Sequence, residues 1–259
     1  MSEDNFLKIS GSGTTGGGEF EGVYISGSGK VNGDVKCKEF KISGSGNIIG
    51  SVYTDDFKIS GSGKIEGNLK CTNGRISGSG GILGNLTAEE FKISGSGKVN
   101  GNSNCQWLKI SGDGKILGNV LGKTFIISGE AFVEKNIEVE NFEARGNFKV
   151  NGMINADEVI IQLQNHCYVE EIGATKVDVR KGATINSIFK VISFFAKNFL
   201  GYLNTKIIEA DYIYIEYTKA DIVRGENIVI GEGCEIGLVE YKNSFKEEGN
   251  SKIIEKRKL

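Results

Sequence analysis

Ile42-Ser43-Gly44-Ser45-Gly46, then Ile59-Ser60-Gly61-Ser62-Gly63, then Ile76-Ser77-Gly78-Ser79-Gly80: one pentad returns every seventeen residues. It also starts at Ile9, Ile25 and Ile93, and continues as Ile-Ser-Gly-Asp-Gly at Ile110 and Ile-Ser-Gly-Glu-Ala at Ile127. After a first step of sixteen every step is seventeen, and degenerate copies follow at Ala144 and Ile161. Self-similarity at a short fixed period marks a stacked repeat architecture.

With the pentad's isoleucine as position 0, apolar or small residues recur at positions 4, 6, 10, 12, 15 and 0. Position 6 is Val31, Ile48, Ile65, Ile82, Val99 and Ile116, and position 15 is Phe40, Phe57, Gly74, Phe91, Leu108 and Phe125. They fall in pairs two apart, which is one face of a strand. The gaps between pairs suit corners, and the glycines at positions 2, 4 and 8 suit a positive φ or a tight turn. Three short strands and three corners per seventeen residues predict an all-β, single-stranded β-helix of triangular section. The unequal spacing departs from the hexapeptide rule of left-handed helices and favours a right-handed coil.

Composition agrees. Glycine numbers 38 of 259 residues and proline is absent, where about 13 prolines would be usual. A ladder paired on both sides needs every backbone donor, and proline has none. Collagen is excluded by the period and the missing proline. The net charge of -2 argues against a nucleic-acid partner, which wants a concentrated basic face. No secretory signal and no run of about 18 apolar residues is visible, so a cytoplasmic protein is expected. One elongated domain is expected over 9–241, with regular coils at 9–160, an irregular aromatic segment at 188–203 and final coils at 209–241. Residues 1–8 are a lead-in and 242–259 a charged, poorly ordered tail. About 13 coils at ~4.8 Å each would make a rod of roughly 60 Å.

Candidate chemistry is sparse. Cys37, Cys71 and Cys105 share position 12 at steps of two coils, about 9–10 Å. That is too far for a disulfide or a shared zinc ion, so they read as small buried core residues. Gly118-Asn119-Val120-Leu121-Gly122-Lys123-Thr124 is one residue short of a phosphate loop, and a strand follows where a helix is needed. His166 is the only histidine, and its neighbour Cys167 should point to the opposite face of a strand. Lys41, Lys58, Arg75, Lys92 and Lys109 form a basic column beside Glu39, Asp56, Asn73 and Glu90, which reads as laterally paired surface charge. Serines at positions 1 and 3 form outward hydroxyl ladders. Phe194, Phe195, Phe199, Leu200 and Tyr202 lie in a stretch too apolar for one inward strand. They are expected to pack on the solenoid flank or to form a patch for self-association, a membrane surface or another partner. No catalytic, cofactor or metal site is expected.

The tandem coils, with glycine two residues after the next aliphatic as in Lys30-Val31-Asn32-Gly33-Asp34-Val35, resemble bactofilins, the polymer-forming bacterial cytoskeletal proteins. Ile222-Val223-Arg224-Gly225-Glu226-Asn227 and the following Ile230-Gly231-Glu232-Gly233-Cys234-Glu235-Ile236-Gly237 resemble the C-terminal part of longer Gram-positive members. The likeness covers roughly 9–160 and 209–241. It implies a right-handed triangular β-helix that polymerises without nucleotide and bears on cell shape, polarity or appendage assembly. A non-enzymatic scaffold is therefore expected, with itself as partner and the inner membrane surface or envelope proteins as further ones. The alternative is a platform for a glycan, envelope component or protein. A hexapeptide-type acyltransferase is disfavoured by the period and the single histidine. Open solenoid edges recruit further strands, which makes Phe6, Leu7, Ile9, Phe20 and Val23 of the first coils the expected end-to-end contact.

Overall fold

The computed structural model describes residues 5–182 and 201–259. These are all β, with 22 strands and no helix. Parallel strands stack as a β-solenoid of about 14 turns with about 17 residues per turn, one more than the expected count. The chain divides into two compact units, Met1–Thr124 and Phe125–Leu259.

In the first unit strand residues pair sixteen positions on in the first turn, as Ile9 with Ile25, and seventeen positions on from Gly18 onward. Val35, Val52, Leu69, Leu86 and Ser103 stand in one column, and Ile42, Ile59, Ile76, Ile93 and Ile110 in another. The strand Val52–Ile59 breaks its pairing at Asp55, where the chain turns a corner. Residues 60–61 make a second corner, the strand Ser62–Ile65 the third side, and residues 66–68 the last corner. Three sides per turn, each turning two residues inward, match the pairs read from the sequence. The interior is fully buried at Phe40, Ile42, Ile48, Val52, Ile59 and Ile65.

Phe40 stacks on Phe57 at 5.6 Å between ring centroids, and Phe57 meets Phe91 at 6.4 Å across the turn that carries Gly74. The Phe91 ring occupies the space a Gly74 side chain would take: a Cβ there would lie 2.2 Å from Phe91 Cδ2. The position-2 glycines answer a different need from the positive φ expected at corners. A Cβ on Gly61, Gly78 or Gly95 would lie 2.1–2.2 Å from the carbonyl oxygen of the glycine one turn earlier. Close stacking of backbones at that corner excludes any side chain.

The opposite corner carries an asparagine ladder that composition did not suggest. Asn68 Oδ1 accepts from the Asn85 N–H at 2.8 Å, Asn85 Oδ1 from Asn102 at 2.8 Å, and Asn102 Oδ1 from Asn119 at 2.9 Å. Ser51 Oγ and Asp34 Oδ1 extend it toward the N-terminus. Each side chain caps a corner amide that the strand ladder leaves unpaired.

The second unit keeps the parallel pairing but not the period. Val159 pairs with Val177 after eighteen residues, Val177 with Ile213 after thirty-six, and Ile213 with Ile228 after fifteen. The long step lies between the pairs Leu163↔Lys181 and Cys167↔Leu203: three residues separate Leu163 from Cys167 in the sequence, and twenty-one separate Lys181 from Leu203. The short step is closed by Tyr217, whose φ of 45° is the only positive non-glycine value among the described residues. Residues 242–259, expected as a poorly ordered tail, instead continue the solenoid. The strand Glu235–Glu247 pairs back to Thr218–Ile230, and Lys252–Lys258 pairs onto it. Backbone pairing orders this stretch although it buries little apolar surface.

Candidate self-association surfaces

The strand Phe6–Ile9 pairs with Gly22–Ile25 on one side, and Ser12–Glu19 with Ser28–Ile42. Neither has a partner on its other edge among the described residues. The consequence shows along the position-0 column: Ile9 is half-buried, Ile25 is 1% exposed and Ile42 is fully buried. Phe6 is 40% exposed, and Leu7 and Phe20 are half-buried. Phe6 leans on Tyr24, 6.0 Å between centroids, and Lys8 Nζ stands 5.3 Å from the Phe6 ring. Tyr24 in turn donates to Glu39, whose carboxyl is held below its ordinary range by the Lys41 ammonium first and by this Tyr24 hydroxyl second. Val23 departs from the expectation: it is fully buried in register with Leu7, so it belongs to the core and not to the contact.

The other end of the chain is chemically different. The strand Lys252–Lys258 has one paired edge among the described residues, and it carries Lys252, Lys256, Arg257 and Lys258. Lys256 pairs with Glu247 at 2.7 Å, and Arg257 with Glu240 at 3.0 Å and Glu255 at 2.9 Å. Glu240 also holds Arg224 at 2.8 Å with its own side chain only 8% exposed, an alternation of charge across three strands. Charged edge strands, lysine-bearing ones above all, oppose further pairing.

Of the expected aromatic patch, Phe194, Phe195, Phe199 and Leu200 lie outside the described residues. Tyr202 is described: its ring centroid lies 3.9 Å from that of His166, with Lys219 Nζ at 5.7 Å. His166 is exposed while Cys167 is buried with Sγ toward the Gly146 carbonyl, so the adjacent pair is turned apart as expected.

Cys37, Cys71 and Cys105 are buried and free, with Thr54 and Ala88 between them in the same column. Burial pushes the Cys71 and Cys105 thiols up to about 12 and those of Cys167 and Cys234 to about 11. They are neutral, unreactive groups. No group of three or more His, Cys, Asp or Glu among the described residues could hold a metal ion. Gly118–Thr124 runs into the strand Val120–Ile127 and meets no helix. Within the basic column, Lys41 pairs with Glu39, and Lys92 with Glu90 at 3.6 Å and with the Trp107 ring at 4.8 Å. The outward serines Ser28, Ser45, Ser62, Ser79 and Ser96 stand in register. No described helix is long and apolar enough to cross a membrane.

A glycine-spaced parallel β-solenoid whose turns repeat about every seventeen residues defines the class as a β-helical repeat protein. The family model described as "Polymer-forming cytoskeletal", Bactofilin, matches residues 45–121. The chain is 52% identical over 254 residues, 98% of each chain, to the uncharacterized protein YhbE of Bacillus subtilis (strain 168). It is 37% identical over 109 residues to the uncharacterized protein YhbF of the same organism, and that match spans 42% of each chain. No solved structure matches. The chain belongs to the bactofilin family.

Proposed function

We propose that this protein is a non-enzymatic scaffold subunit that polymerises without nucleotide through its N-terminal edge, in the cytoplasm, serving cell shape, polarity or appendage assembly. The observation that carries this reading is the uncovered first turn: Leu7 and Ile9 remain half-accessible where the equivalent residues of later turns, Val23 and Phe40, Ile25 and Ile42, are sealed, and the exposed Phe6 stands beside them. A second copy stacked there would pair the free strand edge and bury these side chains, at about 25 cal/mol per Å² of apolar surface. The lysine-rich strand at the other end makes that edge the poorer template.

The test is negative-stain microscopy of the full chain, without nucleotide, across concentration. Filaments or end-joined pairs are expected, and Phe6→Asp combined with Ile9→Asp should abolish them while leaving the β circular-dichroism signal unchanged. Dispersed single particles of the unmodified protein at every concentration would overturn the reading. Assembly undisturbed by the double substitution would move the contact away from this edge.

A further inference from the structure

One outward face of the first unit repeats every second turn, although the backbone repeats every turn. At position 7 the aliphatic residues Ile49, Leu83 and Leu117 alternate with Asn32, Glu66 and Asn100. Ile49 and Leu83 are 37% and 39% exposed. The column is straight, because each position-7 amide from Glu66 to Leu117 donates to a carbonyl one turn earlier at 2.8–2.9 Å. Two residues before, on the same face, position 5 carries Lys30, Lys64 and Lys98 in the turns of Asn32, Glu66 and Asn100, and Asn47 and Lys115 in the turns of Ile49 and Leu117. In the turn of Leu83 it carries Gly81, over which a Cβ would meet nothing within 4 Å. An exposed leucine thus stands beside open space over Gly81, and Glu66 stands beside Lys64, which it contacts at 3.2 Å. The complementarity centres on the turns of Glu66 and Leu83.

We propose that this face binds the same face of a second copy, turns aligned in parallel about a two-fold along the stacking direction. That operation lays position 7 of each turn against position 5 of the same turn in the other copy. Leu83 of each chain then fills the space over the partner's Gly81, and Glu66 of each meets the partner's Lys64. A two-fold running across the turns at Gly81 would instead set Lys64 against the partner's Lys98, like charge on like. The contact is self-complementary, as an isologous interface must be. The face is only two outward positions wide, whereas a stable interface needs roughly 1,000 Å². Its strength therefore rests on the polymer reading above, in which aligned subunits repeat the contact many times.

The test uses full-length Gly81→Cys and Leu83→Cys chains, prepared separately, mixed and mildly oxidised; the native thiols are buried and protonated and do not compete. A disulfide-linked dimer is expected in the mixture and its loss in either chain alone. Equal dimer from Leu83→Cys alone overturns the orientation, and absence of the mixed disulfide overturns the contact whether or not filaments form. A mixed disulfide without filaments supports this face and sinks the polymer reading alone. In microscopy, Leu83→Glu should leave filaments that no longer lie side by side, and undiminished bundling overturns the proposal.

Discussion

At the scale of single residues, two glycines of one pentad do different work. A Cβ on Gly95 would lie 2.1 Å from the Gly78 carbonyl oxygen, a backbone atom that cannot move without parting two turns. A Cβ on Gly97 would meet Ile93 side-chain atoms at 2.8–3.1 Å, which a rotamer change relieves. The chain itself places Ala131, 2% exposed, at the position Gly97 occupies in its turn. Gly95→Ala should therefore cost at least about 2 kcal/mol and Gly97→Ala under about 1 kcal/mol, read from urea midpoints at constant slope. Equal costs would refute the backbone-contact explanation. The thiols give a pH dependence. Their folded values lie above the ordinary 9.0, at about 12 for Cys71 and Cys105, so the unfolded chain releases these protons first. Their contribution to stability is complete below pH 9 and declines as pH climbs toward 12. Urea midpoints should fall over that window, and alanine at both positions should flatten the fall.

At the scale of elements, the corner ladder holds the strands in register as much as the strands hold it. Asn85 accepts the Asn102 amide and gives its own amide to Asn68. Asn85→Ala leaves the Asn102 donor without its side-chain partner and should cost about 1 kcal/mol. Faster amide exchange confined to Asn102 and its neighbours would identify the cause, and unchanged exchange there would assign the ladder no role in holding the corner. The surface charge pairs carry less: Lys92 and Glu90 sit 3.6 Å apart with half their side chains in water, and exposed pairs of this kind contribute little. The same reasoning explains how the strand Lys252–Lys258 forms. Its order comes from backbone pairing to Glu235–Glu247, while Ile253 is only half-buried and Ile254 is 78% exposed.

At the scale of the whole molecule, the two terminal strands differ in chemistry: among the described residues, Phe6–Ile9 leaves an apolar edge unpaired and Lys252–Lys258 a charged one. Deleting residues 248–259 removes the charged strand and leaves Glu235–Glu247 as the edge, with Ile236 and Val239 behind it, now fully or almost fully buried. The shortened chain should scatter more light at a given concentration than the full chain. Unchanged scattering would show that the charged strand does not block association.

The seventeen-residue period, the three sides, the inward columns and the turning apart of His166 and Cys167 were all legible in the residues. They follow from rules that act within one strand: alternation decides inside from outside, and glycine marks where no side chain fits. What lay beyond reach was non-local. Asn68, Asn85 and Asn102 stand in a visible Gly-Asn repeat, yet only stacked turns bring each side chain to the next amide. Val23 resembles Leu7 in chemistry, but the turn that covers it makes it core. The stretch 242–259 reads as a solvated tail because its charge is local, whereas its order depends on a strand edge seventeen residues earlier. The thirty-six-residue step around residues 182–202 is likewise a matter of which strands pair. The sequence by itself determined the repeat and what each coil turns inward; the tertiary structure decided where the stacking continues, where it is interrupted and which edge is left bare, because pairing energy belongs to two strands and is written in neither alone.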